Sequence, residues 1–183
     1  DLDDMASVMA AVEGCDAIVH MGAKSTEGGW NDVLHSNIIG TYNIYEAARR
    51  HGVRRVVYAS SIHAVGYYER THTIDTKVPT RPDSLYGVSK TFGENLASFY
   101  FDKFGIESVC LRIGTSIPEP QDRRHLITWI SYGDLRRLVE CCLEAPRVGF
   151  LISYAISDNS QAFWDNRAAS ILGYRAKDSA DDF

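Results

Sequence analysis

The feature that most constrains this chain is a set of short runs that are apolar without a break: "DAIVHMGA" (residues 16–23), "RRVVYASS" (54–61) and "ESVCLRIG" (107–114). A strand with one wet face alternates apolar and polar residues, whereas an unbroken run needs cover on both faces. A fourth segment, "GFLISYAIS" (149–157), also reads as a strand. Between the first two strands Leu34, Ile38, Tyr42 and Tyr45 recur at helical spacing, and "HGV" at 51–53 supplies the basic residue and glycine of a helix stop. Between the second and third, a helix over about 86–104 sets Val88, Phe92, Leu96 and Phe99 on one side and ends at Gly105. Leu135, Leu138, Val139 and Leu143 keep a further helix in register before Pro146. Strands and helices in alternation predict an α/β fold, a doubly wound, largely parallel sheet.

With 183 residues, 45% hydrophobic and 23% charged, the chain suffices for one sizeable core, so a single domain over 1–183 is expected. A net charge of -5 with scattered basic residues excludes a general phosphate-backbone binder, so nucleic acid is not an expected partner. No run approaches the roughly 18 apolar residues of a membrane span, and "DLDDMASVMAA" has no signal-peptide pattern; no membrane partner and a cytoplasmic protein are expected. The four cysteines, Cys15, Cys110, Cys141 and Cys142, lack zinc or redox spacing and read as buried reduced thiols. The histidines show no H-E-x-x-H or comparable spacing, so no metal is expected.

A doubly wound fold should open with a strand and a glycine-rich turn that seats a cofactor's pyrophosphate on a helix N-terminus. Here "DLDD" and a short helical pattern, "MASVMAAVEG", come first, and no G-x-G-x-x-G occurs. The expectation is that this part precedes residue 1 and that these 183 residues alone bind the cofactor weakly.

"SLYGVSK" (84–90) carries chemistry. Tyr86 and Lys90 stand four residues apart and share a helix face. A free phenol titrates near pH ~10, so a tyrosine acting as general base near neutrality needs about 3 units of stabilisation of its phenolate. A fixed ammonium and a positively charged cofactor ring could together supply it. Y-x-x-x-K alone is a weak pattern whose plain reading is an exposed lysine beside a half-buried tyrosine. The strand before it gives the pair a chemical context, because "VVYASS" ends in Ser60 and Ser61 at the carboxyl end of a buried parallel strand, where open α/β sheets place ligands.

On "DAIVHMGA", "NIIGTYNIYEAARRHGVRRVVYASS" and "YGVSK", the chain resembles the extended short-chain dehydrogenase/reductase family, the NAD-dependent epimerases and dehydratases. The resemblance implies a Rossmann-type fold, NAD as cofactor, Ser61 and Tyr86 as the catalytic pair, and Lys90 holding the ribose hydroxyls and lowering the tyrosine pKa. Asp1 and Leu2 match the short pair that flanks the adenine. Within the family the more specific likeness is to the uronate dehydrogenases, on "CDAIVHMGAKS", "RPDSLYGVSKTFGENLASFYFDKFG", "LRIGTSIPEPQDRR", "TWIS" and "FWDN". That branch implies oxidation of C1 of a glucuronate or galacturonate to the aldarolactone, with Ser25, Ser61, Thr115 and Arg124 on the substrate. An arginine fork suits the sugar's carboxylate, and Arg123 competes with Arg124 for that part. Arg124 as a solvated loop charge and Ser25 as a turn residue are the plain readings. One departure is Ile62, which follows Ser61 where the branch has asparagine. The partner expected is a small sugar acid, with a homo-oligomer possible. A nucleotide-sugar epimerase or dehydratase and a non-catalytic nucleotide-sensing regulator are the alternatives.

Overall fold

The computed structural model describes residues 1–25 and 28–183. The chain opens with α1 (Met5–Val12), capped by the Asp4 carboxylate accepting from Ala6 N at 3.0 Å, and enters β1 (Ala17–His20). After a loop come α2 (Trp30–Val33), a π-helical turn (Leu34–Ile39) and α3 (Gly40–His51), then β2 (Arg55–Ser61) and a 3₁₀ turn (Ile62–Val65). A long loop leads to α4 (Leu85–Phe104), followed by β3 (Glu107–Ile113). Gly52 and Gly105 end α3 and α4 at φ 70° and 71°, the left-handed conformation the sequence pattern requires of them. The remainder is β4 (Thr115–Ser116), α5 (His125–Thr128), β5 (Trp129–Ile130), α6 (Tyr132–Glu144), β6 (Phe150–Ala155) and two 3₁₀ turns.

The main sheet is parallel throughout in the order β1-β2-β3-β6, and β4 pairs with β5 in a small second sheet. Successive residues of β2 feed opposite cores, as the unbroken runs require. Val56 and Tyr58 pack with α1, α3 and α4, while Val57 packs with α6 and the Ala169–Tyr174 segment. β1 departs from this: Val19 is 40% exposed, because α6 packs behind β2 and β3 and does not cover the edge strand.

Two helix faces also depart from their sequence patterns. On α4, Val88 and Phe99 are 43% and 47% exposed, and Gly87, Ser89, Lys90, Gly93, Glu94 and Ala97 turn inward instead. Small residues let the helix approach the sheet closely, and Val88 and Phe99 are left outside, while Leu96 and Tyr100 still pack on the core. Before α3, the π turn adds a residue to the helical winding, so Tyr42 is exposed while Tyr45 is buried. Of the cysteines, Cys110 and Cys142 are buried, but Cys15 is exposed and Cys141 half-buried. Among the described residues no helix is long and apolar enough to cross a membrane, and no cluster of His, Cys, Asp and Glu could hold a metal ion.

Candidate active site

β2 delivers Ser61 to the carboxyl rim of the sheet, where it pairs in register with Ile113 of β3, so that Thr115 follows at the same rim. α4 starts immediately beside it. Ser84 caps the helix, its hydroxyl accepting from Gly87 N at 3.0 Å. Gly87 is forced by proximity, since a Cβ there would lie 2.5 Å from the His63 carbonyl oxygen. This close approach sets Tyr86 against the Ser61 turn.

Two opposing effects act on the Tyr86 phenol. Burial raises its pKa, and hydrogen bonding by the Ser61 hydroxyl lowers it. The Ser61 hydroxyl in turn accepts from His63 N at 3.2 Å. The His63 ring stands edge-on to Tyr86, with centroids 5.7 Å apart. Lys90 reaches in from one helical turn further on. Its ammonium lies 5.3 Å from the Tyr86 ring centroid and 5.2 Å from that of Tyr58, within cation–π range of both. Lys90 is 3% exposed, forms no ion pair among the described residues, and burial pulls its pKa down to about 8. The ammonium lies against ring faces, and Tyr86 is pushed up by burial rather than down by the lysine.

A buried, unpaired ammonium costs stability. The folded pKa of Lys90 is depressed from 10.5 to about 8, so its contribution to stability is greatest above pH 10.5, falls as pH drops towards 8 and is flat below. At neutral pH the cost is on the order of 3 kcal/mol, offset in part by the two rings. Lys90→Met is therefore expected to raise the urea midpoint at pH 7, by about 1–3 kcal/mol in unfolding free energy, while removing activity. A destabilised methionine variant would contradict this account of the lysine.

Beyond this cluster is a cleft of about 120 Å³ lined by residues including Ile62, His63, Asp83, Arg124, Thr128 and Trp164. Of the two candidate arginines, Arg124 borders it and Arg123 does not. Thr115 adjoins the cleft through Thr128, their hydroxyls 2.8 Å apart, and Thr128 also donates to the Arg124 carbonyl at 3.2 Å. Ser25 is exposed on the loop after β1. That loop is tied to α4 by buried Asn37, which accepts from Lys24 N at 2.7 Å and donates to Ser89 Oγ at 2.9 Å. Leu2 packs against Gly22 and Gly40 at the end of β1, its carbonyl accepting from Asn43 Nδ2 at 2.9 Å. Asp1 is exposed. A larger cavity, about 800 Å³, shares Trp164 with this cleft, and Ser61, Tyr86 and Lys90 stand in the wall of neither. The chemistry of the side chains, rather than volume, marks the site.

Sequence reasoning missed Asn37, Thr128, His63, Asp83 and a buried ion pair beneath the site. Arg112 of β3 meets Glu94 of α4 with two contacts of 2.8 Å, at 1% and 4% side-chain exposure. Ser60 donates to the same carboxylate at 2.6 Å. Glu94 lies one turn after Lys90, so the pair fixes the rotation of the helix that presents Tyr86 and Lys90.

The sequence profile of the NAD dependent epimerase/dehydratase family matches residues 1–133. A uronate dehydrogenase of Pseudomonas syringae pv. tomato is 54% identical over all 183 residues, which cover 66% of its length. A second, of Pseudomonas putida, is 52% identical, with 68% of its length covered. A crystal structure of a point mutant of Agrobacterium tumefaciens uronate dehydrogenase complexed with NAD superimposes with a TM-score of 0.97 at 49% identity, over the whole chain and 69% of that structure. The chain thus spans about two thirds of the length of the relatives it matches.

Proposed function

The chain belongs to the NAD-dependent epimerase/dehydratase family, and on that premise we propose that it forms the catalytic part of an NAD-dependent dehydrogenase oxidising C1 of a hexuronate to the aldarolactone. One observation carries this reading: a buried ammonium without a counter-charge among the described residues, Lys90, packed on the ring of Tyr86, which lies in the first turn of α4 beside the Ser61 turn.

The residues fit the nicotinamide-ribose half of NAD, because the Lys90 ammonium has no paired acceptor among the described residues and ribose hydroxyls would supply one. Asp1 and Leu2 would flank the adenine. When bound, the oxidised nicotinamide accepts the C1 hydrogen with its electron pair. Tyr86 takes the proton of the C1 hydroxyl, Ser61 hydrogen-bonds the same oxygen, and Lys90 holds positive charge beside the phenol as it ionises. Arg124 forks the carboxylate, and Ser25 and Thr115 meet sugar hydroxyls. Ile62, buried at the cleft wall, supplies contact area where the branch has an amide. The epimerase alternative is not favoured, since relatives at about half identity are uronate dehydrogenases, nor is the regulator, since Ser61, Tyr86 and Lys90 are all present.

The decisive experiment measures NADH formation by the whole protein with glucuronate, galacturonate and UDP-sugars. Turnover of a free uronate and none of the UDP-sugars is expected; the reverse would move the reading to the epimerases. The cytoplasm is the compartment that supplies NAD and the reduced thiols of Cys110 and Cys142.

We further propose a homo-oligomer built on the outer face of α4, a helix about 30 Å long on which Val88 and Phe99 are 43% and 47% exposed and Phe92 half-buried. A two-fold contact would bury this apolar stripe against its own copy. Sedimentation should give a dimer or higher state that Phe99→Glu dissociates; a monomer at micromolar concentration contradicts it.

A further inference from the structure

Asp83 is the sole acid bordering the Arg124 cleft among the described residues. Its two oxygens lie 2.8 and 3.0 Å from His63 Nδ1, and one of them also accepts from Ser84 Oγ at 3.1 Å. Both partners are bonded onward. His63 N donates to Ser61 Oγ, and Ser84 Oγ accepts from Gly87 N at the start of α4. The carboxylate therefore closes a continuous path from the turn that carries Ser61 to the helix that carries Tyr86. Backbone bonds run alongside it, with Arg81 N donating to the Ala64 carbonyl at 3.0 Å and Tyr67 N to the Arg81 carbonyl at 3.1 Å.

We propose that Asp83 is a positioning residue for the oxidation, acting through His63. The inference rests on the dehydrogenase reading above. A ring nitrogen facing a carboxylate carries the hydrogen, so Nδ1 is the donor, and in the neutral tautomer that results the lone pair sits on Nε2. His63 borders the cleft, and that lone pair accepts a hydrogen bond from a sugar hydroxyl, orienting C1 towards Tyr86. No proton transfer passes through His63 or Asp83. The same carboxylate keeps the Ser61 turn against the cap of α4, so the two hydroxyls that meet the reacting oxygen hold one spacing.

The test has two arms. Imidazole ¹⁵N spectra of this chain at alkaline pH should place His63 in the Nδ1–H form, and Asp83→Asn, whose amide can also donate, should shift the population to Nε2–H. In steady state, Asp83→Asn should lower kcat for the hexuronate about 10- to 100-fold with the KM for NAD little changed, and cost little more in a His63→Gln background. A residue that merely supported the fold would lower the thermal midpoint and add its loss to that of His63→Gln. An unchanged tautomer, or fully additive losses, overturns the proposal. If the native protein oxidises no hexuronate, the dehydrogenase reading fails, and the imidazole spectrum still decides whether Asp83 orients His63.

Discussion

Replacing Tyr86 by phenylalanine is expected to lower kcat for hexuronate oxidation by about 10² to 10⁴, the range for losing a general base. The substitution is selective. Phenylalanine keeps the ring that packs edge-on against His63 and under the Lys90 ammonium, so the site retains its shape and the variant should unfold at nearly the native midpoint. Only the hydroxyl goes, and with it the group that takes the C1 proton. A pH profile separates this from general damage. Burial raises the Tyr86 pKa, and a base that works as phenolate should give the native enzyme a rate that climbs with pH over the range in which the phenol ionises in the ternary complex. The phenylalanine variant should lose that limb together with the rate. A variant within about threefold of the native rate, or one that keeps the limb, would remove Tyr86 from the chemistry and with it the dehydrogenase assignment.

What the sequence made legible follows from how local each signal is. The four strands of the main sheet could be read because each is a short, largely apolar, β-rich run, a property of consecutive residues, although only β2 and β3 have the two-sided cover such a run suggests. The Tyr86–Lys90 pair could be read for the same reason, as i and i+4 share a face on any helix. The orientation of α4 could not. Its pattern locates an apolar stripe but does not say which side meets the sheet, and here the requirement for close approach won: Gly87, Gly93 and Ala97 go in with Lys90 and Glu94, and Val88 and Phe99 go out. Tyr42 shows a second limit, since one π turn rotates every later residue relative to a 3.6-residue count. Asp83 and His63 illustrate a third. Each looks like a loop or turn residue until the fold brings them within 3 Å, and nothing in either neighbourhood names the other.

The largest stability effect is expected from Glu94→Ala. The substitution strands the Arg112 guanidinium, almost wholly buried between α4 and the sheet, and leaving one member of a buried pair costs about 3–5 kcal/mol. Arg112 would keep only Tyr154, whose hydroxyl is 3.4 Å from one of its nitrogens and already donates to the Asp75 carbonyl. Ser60, which donates to Glu94, would lose its acceptor as well. Urea unfolding should show the loss as a lower midpoint at unchanged m. The double variant Glu94→Leu with Arg112→Met should recover most of it, because two apolar chains of similar volume need no partner, leaving the Ser60 hydroxyl as the residual cost. That rescue carries the argument from stability to function. If the pair only holds the helix down, the double variant should fold and keep its turnover. If it sets the rotation that aims Lys90 and Tyr86, one turn and two turns before Glu94, the rescued protein should be stable with a reduced kcat, since apolar contacts fix a helix's depth more firmly than its rotation. The second outcome is expected, because the bidentate contact at 2.8 Å constrains direction as well as distance. A single Glu94→Ala loss below about 1 kcal/mol would contradict the burial of Arg112 and leave the placement of α4 to packing alone.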